Sequence, residues 1–543
     1  MYLLFNNSKP SVARRNPLTL GICVLALTLL GQAVLAQTTT AQKEQILQEI
    51  GRRLQSGTDL PVELKAHSKV LSTYYLDPGS ELLWVGTPRM KAFAERLTKA
   101  DEDGLKAADY KVPFAEAESE DTAALAAAEL AYSGTFLTYA SDLKVGRLTP
   151  RKVDPELFAQ TKTIDGQKTL QALAKQPDVH LFFSQWSPHN PEYRALHNLL
   201  LEHREMAADG GWPKVSTGDS LKLGMRNPRV AELRARLEAS KDITIKRKDA
   251  ELYDEGLLMA VKRFQTRHGL EADGTVGKAT VRALNVPVED RIKQIVVNME
   301  RWRWLPEDLG NRYILVNIAG FNLRLVEAGA VKDRMKVVVG KPYRRTPVFS
   351  DKIRYLEINP YWNVPRSIAV RAELPQFRKD PSFIDRMGFE VYRGGKKIDP
   401  KTVNWNNVSA KGFPYTLKQK PGPKNALGRV KFIFPNKFSV YLHDTPSRGL
   451  FQRAARAGSS GCIRLERPID LAEQVLHKKE GWDRKRIDAV LESAKNTRVD
   501  LPEKLPVHLT YSTAWSGEGG TINFRPDVYS RDKKLAKVLF KGN

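Results

Sequence analysis

A cysteine and a histidine in the last quarter of the chain are residue types that suit acyl transfer. His443 follows the apolar run Phe438 to Leu442, which predicts a strand, and Cys462 follows a Gly/Ser turn. A thiol needs a base, because only a few per cent of free cysteine is ionised at neutral pH. A histidine within hydrogen-bond reach can take the proton and later return it to an amine. His443 and Cys462 are therefore the candidate catalytic pair.

Acyl transfer also requires stabilisation of an oxyanion, and the backbone next to Cys462 is suited to that role. The attacked carbonyl becomes an oxyanion, which needs hydrogen-bond donors. Gly461 permits close backbone approach, so we expect the amides of Gly461 and Cys462 to supply those donors. The pair alone is a weak signal, because nine histidines are scattered along the chain.

The N-terminus has the layout of a secretory signal peptide. Lys9, Arg14 and Arg15 precede an apolar run from Leu18 to Leu30, and small residues lead to an expected cleavage after Ala36. The run is shorter than the roughly 20 residues that span a bilayer, so an uncleaved anchor is the less favoured alternative. The arginine pair leaves Sec and twin-arginine export both open. After cleavage, no stable membrane span is expected.

Export makes the cysteine count informative. Of the two cysteines, Cys23 lies within the signal, where the preceding Leu20-Gly21-Ile22 makes a poor lipidation site. The mature chain then keeps only Cys462, which cannot form an internal disulfide. On position alone, Cys462 is either an inert buried thiol or a reactive nucleophile.

The formal net charge of +25 is informative about partners rather than about fold. The basic residues are spread along the chain, which indicates either a solvated exterior or attraction to a carboxylate-rich polymer. No signature of nucleic-acid binding is present, so nucleic acid is not an expected partner. No zinc spacing such as His-Glu-x-x-His and no cofactor motif is present, so neither a metal nor a cofactor is expected.

The chain has 543 residues, which is long enough for several domains, and these domains must position His443 and Cys462. Residues 41–211 are rich in Ala, Leu, Glu and Lys and predict a helical scaffold domain, followed by a linker at Asp209–Pro213. One predicted helix carries its apolar residues at three- and four-residue steps. That face consists of Leu125, Ala128, Tyr132, Phe136, Tyr139 and Leu143.

Residues 221–285 predict a compact unit of three helices. Apolar positions mark Val230–Leu237 and Leu257–Phe264 as two helices, and Asp273-Gly274 predicts a turn before a third helix that begins near Thr280. The segment resembles the three-helix peptidoglycan-binding domain, whose typical ending stands here at residues 264–285. That resemblance implies wall binding, and the alternative is a helical spacer without a ligand.

A β-rich domain is expected from about residue 312 to 490. Short strands are predicted at 313–318, 322–326 and 335–339, bounded by Gly and Pro. Residues 491–543 are expected to pack on the scaffold or on this domain. The predicted fold class is therefore multidomain α+β.

Two segments next to the predicted strands have a distinct composition. Met299–Pro306 is Trp-rich, and we expect Trp302 and Trp304 to be packing anchors. Residues 371–424 form a Pro-, Lys- and Gly-rich insertion, in which Asp380-Pro381 predicts a helix start. This insertion is either a lid over the site or a passive excursion.

The segment from Tyr441 to Leu465 resembles the L,D-transpeptidase catalytic family. The family signature is a His-Gly pair followed by Ser-His-Gly-Cys-Ile/Val-Arg, and this chain departs from it at Asp444 and Ser460. Because Ser460 replaces the second histidine, His443 remains the single candidate base. The large periplasmic members of the family share the Ser-Ser-Gly-Cys form. They also match residues 299–306, 339–347, 358–365, 513–515 and 524–527.

The resemblance implies a role for each residue of the pair. Cys462 attacks the carbonyl of the third residue of a donor tetrapeptide stem and releases the terminal D-alanine, while His443 shuttles the proton. The Tyr441 hydroxyl assists the backbone donors at Gly461 and Cys462. The resemblance also implies acylation of Cys462 by carbapenems.

Other residues keep two interpretations each. Arg464 either positions the site or binds a substrate carboxylate, with a structural salt bridge as the alternative. Ser460 either orients His443 or only shapes the turn. A third set either lines the cleft or packs in the core, and it consists of Tyr361, Trp362 and Asn363.

By the same resemblance, the partners are peptidoglycan stem peptides and glycan, with wall synthases as further partners, in the periplasm of a Gram-negative bacterium. Three functions compete with crosslinking. Water could open the acyl-enzyme, which gives an L,D-carboxypeptidase, or an amine on a protein could open it, which attaches that protein to the wall. A wall-binding scaffold with an inactive site is the non-enzymatic alternative.

Overall fold

The computed structural model describes residues 39–57, 61–160, 162–243 and 249–541. The predicted signal peptide, with Cys23 and the cleavage after Ala36, lies outside these residues. Within the described part of the chain, no helix is both long enough and apolar enough to cross a membrane.

The N-terminal part is helical, as its composition predicts. All six residues of the predicted apolar face are buried in the longest helix, which begins where the Asp121 carboxylate accepts from the amides of Ala123 and Ala124. The helices are α1 (Thr40–Ser56), α2 (Val62–Lys65), α3 (Ser68–Tyr75), α4 (Pro88–Thr98), α5 (Thr122–Val145), α6 (Pro150–Val153), α7 (Gly166–Lys175), α8 (Val179–Trp186) and α9 (Pro191–Ala208).

The predicted three-helix unit is present as α10 (Pro228–Ala239), α11 (Glu255–Arg267) and α12 (Lys278–Leu284). Their apolar faces form one buried cluster, and α12 begins two residues before the predicted start. A long helix, α13 (Val288–Arg303), then leads to the next domain. Trp302 and Trp304 are buried at its end, which agrees with their expected role as packing anchors.

The β-rich domain is built on a sheet of nine strands in the order β11-β3-β12-β10-β9-β4-β13-β1-β2. The sheet closes on itself through β3, because β3 pairs with β2 along its first half and with β12 further on. The strands are β1 (Arg312–Asn317), β2 (Asn322–Glu327), β3 (Ala330–Gly340), β4 (Phe349–Ile358), β9 (Val430–Ile433), β10 (Leu442–His443), β11 (Ala457–Ser459), β12 (Ile463–Leu465) and β13 (Thr497–Thr510).

Two predictions about this sheet are wrong. The run from Phe438 to Leu442 is not a strand, because Ser439 has a left-handed φ of 55° and only Leu442 and His443 pair. The sheet also does not end at residue 490. Its strand β13 lies between β4 and β1, so the C-terminal segment contributes an interior strand.

The insertion is a small folded unit that begins earlier than predicted, at Trp362. It has a four-stranded sheet in the order β5-β8-β6-β7 and a buried cluster of its own. Asp380 accepts from the Ser382 amide at the predicted helix start. The elements are β5 (Trp362–Asn363), α14 (Arg366–Ile368), α15 (Leu374–Lys379), α16 (Ser382–Arg386), β6 (Phe389–Arg393), β7 (Lys396–Ile398) and β8 (Tyr415–Gln419).

Residues of the C-terminal helix form ion pairs with two other parts of the chain. Asp532 forms a salt bridge of 2.6 Å with Arg301 of α13, and Arg531 and Lys534 bind Asp154 of the scaffold region. The C-terminal segment therefore contacts both the scaffold and the catalytic sheet. The remaining elements are α17 (Pro468–Leu476), α18 (Arg484–Glu492), β14 (Ala514–Ser516), β15 (Ile522–Phe524) and α19 (Arg531–Leu539).

The interior position of β13 makes a testable prediction. A chain that ends at residue 490 should not fold its β-rich domain, because both β4 and β1 would lose a strand neighbour and the core would lose Val507 and Leu509. Soluble yield and near-ultraviolet circular dichroism of this chain, beside the full-length chain, provide the measurement. A cooperative unfolding transition with native-like aromatic dichroism in the truncated domain would contradict this expectation.

Candidate active site

Cys462 lies in the turn between β11 and β12. Hydrogen bonds within the turn itself stabilise its backbone. Gly461 has a φ of 120°, a conformation that a residue with a Cβ rarely adopts. The hydroxyl of the buried Ser459 accepts from the Gly461 amide at 3.1 Å and donates to the Cys462 carbonyl at 2.5 Å. The Gly/Ser sequence thus fixes the backbone on both sides of the thiol.

Thr346, in the loop between β3 and β4, stabilises the same turn. Its fully buried hydroxyl donates to the Gly461 carbonyl at 2.7 Å and accepts from the Gly340 amide at 3.0 Å. The side chain therefore connects the nucleophile turn to the end of β3.

The histidine reaches the site because β10 pairs in parallel with β12. Leu442 is opposite Ile463 and His443 is opposite Arg464, and side chains alternate between the faces of a sheet. Leu442 and Ile463 are buried in the core, so His443 and Arg464 occupy the other face, together with Tyr441 and Cys462. This register places the predicted catalytic pair on the same face of the sheet.

The imidazole of His443 is buried, and its Nδ1 bonds the carbonyl of Asp444. A carbonyl can only accept, so Nδ1 carries the proton and Nε2 is the basic nitrogen, and the ring also lies near the backbone of Leu427. Burial, followed by the charge of Arg464, lowers the pKa of His443 to about 3. The resting imidazole is therefore neutral.

The Cys462 thiol is partly buried and lies 3.7 Å from the Ser439 carbonyl. Burial raises the pKa of Cys462, although hydrogen bonds from the amide and hydroxyl of Tyr441 act in the opposite direction. No hydrogen bond joins His443 to Cys462 in the described chain. The resting site thus holds a neutral thiol beside a neutral imidazole rather than an ion pair.

One of the three expected oxyanion donors is already engaged in another hydrogen bond. The amide of Gly461 is already bonded to Ser459, so it is not free to bind an oxyanion. The amide of Cys462 has no partner among the described residues, and the Tyr441 hydroxyl lies at the Cys462 sulfur. The Cys462 amide and the Tyr441 hydroxyl are therefore the available donors.

The structure removes one interpretation of Ser460 and the salt-bridge alternative for Arg464. The exposed hydroxyl of Ser460 accepts from Arg344 at 2.9 Å, so it does not orient His443. Arg464 forms no salt bridge with any described carboxylate, and its buried Nε has no hydrogen-bond partner. Arg464 is thus a partly buried cation that faces the catalytic pair.

The predicted cleft residues lie in or near the insertion. Trp362 is buried in the insertion core and packs near Phe389, which supports the core-packing alternative. Tyr361 lies under the Lys418 ammonium at 4.0 Å, and Asn363 is exposed on β5. No hydrogen bond among the described residues joins these three to Cys462.

Asp444 stands where the related signature has glycine, and the structure explains how the carboxylate is accommodated. It accepts from the Arg429 amide at 2.9 Å and pairs with the Arg448 guanidinium at 3.4 Å. Gly428, with a φ of 63°, makes the room, because a Cβ there would lie 2.4 Å from the Asp444 side chain. Asp444 thereby fixes the carbonyl that orients His443.

Sequence reasoning missed four positioning residues. A serine, a threonine or an aspartate beside a catalytic motif does not show from its type alone which backbone group it bonds. Thr346 lies within the matched segment 339–347, and Asp444 and Ser459 lie within the matched segment 441–465, which were the available signals. The residues are Thr346, Ser439, Asp444 and Ser459.

In the described ranges, no group of three or more His, Cys, Asp or Glu side chains is placed to hold a metal.

Three family models match separate parts of the chain. Residues 311–500 match an L,D-transpeptidase catalytic domain, and residues 69–200 match a scaffold domain. Residues 226–284 match a "Putative peptidoglycan binding domain". These ranges coincide with the β-rich domain, the helical region and the three-helix unit.

Two curated proteins are similar to parts of the chain. A "Putative L,D-transpeptidase" of Haemophilus influenzae is 37% identical over 244 residues, which are 45% of this chain and 49% of that protein. The N-acetylmuramoyl-L-alanine amidase CwlM of Mycobacterium tuberculosis is 44% identical over 80 residues, which are 13% of this chain and 20% of that protein. The chain thus spans about half the length of the first relative and less of the second.

One solved structure, an L,D-transpeptidase from Stackebrandtia nassauensis, is 15% identical. The match covers 57% of this chain and 99% of that one, with a TM-score of 0.22. A score of this size is too low to establish a shared overall fold.

The neutral resting pair predicts how the thiol responds to pH. Since the pKa of Cys462 is raised, its thiolate fraction at pH 7 is below that of free cysteine, and alkylation by iodoacetamide should accelerate as the pH rises past 8.5. Intact mass of the mature chain, sampled over time, gives the rate. The same chain in urea is the control and should titrate as an ordinary cysteine. A plateau below pH 7 would show an ion pair and refute the neutral state.

The Thr346 bridge predicts a loss of stability. Thr346→Val keeps the shape but leaves the Gly340 amide and the Gly461 carbonyl unpaired in the interior, which should lower the free energy of unfolding by about 1–3 kcal/mol. Urea unfolding measures the difference. Thr416→Val, at an exposed position of β8, is the matched control and should change stability by no more than about 0.5 kcal/mol. Equal midpoints for the two variants would contradict the bridging role.

Proposed function

We propose that this chain is a multidomain L,D-transpeptidase, with a catalytic, a peptidoglycan-binding and a scaffold domain, and that it crosslinks peptidoglycan stem peptides through a thioester on Cys462. The observation that carries the proposal is the register of β10 and β12, which places His443 and Cys462 on one face of the sheet. The free Cys462 amide and the Tyr441 hydroxyl supply donors at the same place.

The first half-reaction forms the thioester. The Cys462 sulfur attacks the carbonyl of the third residue of a donor tetrapeptide while Nε2 of His443 takes the thiol proton. Since the pKa of the thiol is raised and that of the imidazole is lowered, ionisation before attack is unfavourable, and proton transfer accompanies bond formation. The Cys462 amide and the Tyr441 hydroxyl stabilise the oxyanion. The intermediate collapses, and His443 returns the proton to the departing amine of D-alanine.

The second half-reaction forms the crosslink. An amine of an acceptor stem attacks the thioester, Nε2 of His443 accepts its proton, and the thiol is restored when that proton passes to the Cys462 sulfur. One amide replaces another, so no nucleotide is consumed. Arg464, a cation on the same face without a carboxylate partner, binds a carboxylate of a stem in this proposal.

The surrounding units support the same function. The insertion adjoins the site, because Tyr441 packs against both the insertion core and the core of the catalytic domain. It acts as a lid in this proposal, and the three-helix unit holds the enzyme on the wall. Such an enzyme works outside the cytoplasm, in the periplasm if the cell is Gram-negative, beside wall synthases. Carbapenem acylation of Cys462 belongs to the same proposal.

A reaction with defined muropeptides tests the function. The mature chain, mixed with tetrapeptide-bearing fragments, should give dimers that lack one D-alanine, and Cys462→Ala should give none because it has no nucleophile. Mass spectrometry of the products is the measurement. Circular dichroism of the variant confirms that it is folded.

The other outcomes identify the competing functions. Tripeptides without dimers would show that water is the acceptor and that the protein is an L,D-carboxypeptidase. Unchanged fragments with both proteins would indicate a wall-binding scaffold. A protein–stem adduct formed only when an amine-bearing protein is added would indicate attachment of proteins to the wall.

A further inference from the structure

A cavity of about 340 Å³, here called the junction cavity, lies where the scaffold region, the three-helix unit and the C-terminal hairpin meet. None of its lining residues belongs to the Cys462 site. Its walls come from α9, the linker residue Trp212, α10, α11, α13 and the β14–β15 hairpin. The residues that carry its chemistry are Arg236, Arg291, His203, His268, Trp212 and Phe524.

Two arginines in the walls are buried and lie on aromatic rings. Arg236 is 2% exposed, its guanidinium lies 4.0 Å from the ring centre of Trp212, and its Nε donates to the Leu284 carbonyl at 2.7 Å. Arg291 is 8% exposed and lies 4.4 Å from the ring centre of Phe524. Burial lowers the pKa of Arg236 to about 9 and that of Arg291 to about 10.

The carboxylates that act on these two cations do so from beyond salt-bridge distance: Asp242 attracts Arg236, and Asp290 attracts Arg291. The nearby carboxylate of Asp242 is already paired with Arg267, whose Nε donates to it at 2.8 Å. Neither Arg236 nor Arg291 forms a salt bridge with a described residue. Nη1 of Arg236 is buried without a hydrogen-bond partner there, whereas Arg291 donates to the Gln294 side chain at 2.8 Å and to the Ala283 carbonyl at 3.3 Å. Lys241 and Glu202 also line the cavity and offset each other, so the charge inside it stays positive. Stacking on Trp212 explains the position of the Arg236 guanidinium, but it leaves the Nη1 donor without an acceptor.

Two buried histidines in the cavity wall offer acceptors. Nδ1 of His203 bonds the Leu199 carbonyl at 2.7 Å, and Nδ1 of His268 bonds the Phe264 carbonyl at 2.8 Å. Because a carbonyl only accepts, Nδ1 carries the proton in each ring and Nε2 is left as an acceptor. Burial lowers the pKa of both, that of His203 to about 4, so both rings are neutral.

We propose that the junction cavity is a second ligand site, which binds a small molecule with an anionic carboxylate or phosphate group and with hydroxyl or amine donors. The anionic group is bound by the guanidinium groups of Arg236 and Arg291, and the donors face Nε2 of His203 and His268. The volume is within the range of about 300–1,000 Å³ that is usual for small-molecule sites. Because the walls come from several domains, the ligand stabilises their mutual arrangement.

Calorimetric titration of the full mature chain tests the site at constant ionic strength. The probes are inorganic phosphate, a disaccharide-tetrapeptide fragment, which supplies carboxylates, and neutral N-acetylglucosamine. At least one anionic probe should bind saturably, and the neutral sugar should not. Saturation by phosphate alone or by the fragment alone identifies the source of the anion. No saturable binding of either anion would overturn the proposal.

Two variants assign the binding to the cavity. Arg236→Gln removes the cation and should weaken the affinity at least about tenfold, whereas Arg282→Gln, an exposed arginine of α12, should leave it unchanged. Met206→Trp fills the cavity from α9 without changing any charged residue, and it should also abolish binding. This variant tests the site if Arg236→Gln does not fold. Wild-type affinity in a folded Met206→Trp protein would place the ligand elsewhere.

The inference is independent of the reaction at Cys462. The variants change no residue of the catalytic pair, so Arg236→Gln should crosslink soluble muropeptides at the wild-type rate. A failure of the wild-type chain to form dimers would refute the proposed reaction and leave the titration result intact.

Discussion

The parallel pairing of β10 with β12 sets the distance between the imidazole of His443 and the thiol of Cys462. Only two residue pairs define this register, so the pairing depends on supports outside it. Thr346 and Ser459 hold the turn before β12, and Asp444 holds the end of β10 to the Gly428 loop. The site is therefore a short strand contact stabilised by buried polar side chains from three other segments.

The proposed catalytic pair was accessible from sequence, because its residue types carry the chemistry themselves. The oxyanion donors could be predicted from the sequence only in part. Nothing in the sequence shows that the Gly461 amide bonds Ser459, since that contact arises from the left-handed turn at Gly461. The contact of Ser460 with Arg344 joins residues 116 apart and carries no local signal either.

Elements with a repeating apolar pattern were predicted well, since helix periodicity is a local property. The buried face of α5 and the helices of the three-helix unit follow from apolar spacing and turn residues. The domain boundary at residue 490 was wrong for the opposite reason. Strand β13 belongs to the sheet through pairing with distant strands, and a sequence pattern does not reveal the partner of a strand.

The interior position of β13 also bears on the order of events during synthesis. Thr510 bonds the carbonyl of Val316, 194 residues earlier, so the sheet closes only after nearly the whole chain has emerged. Contacts of such high sequence separation form slowly, whereas the local contacts of α1–α9 form early. The helical region can therefore be folded while the nucleophile turn is still unformed. A nascent or interrupted chain would then carry a thiol without its histidine partner, and the reactive centre would arise last.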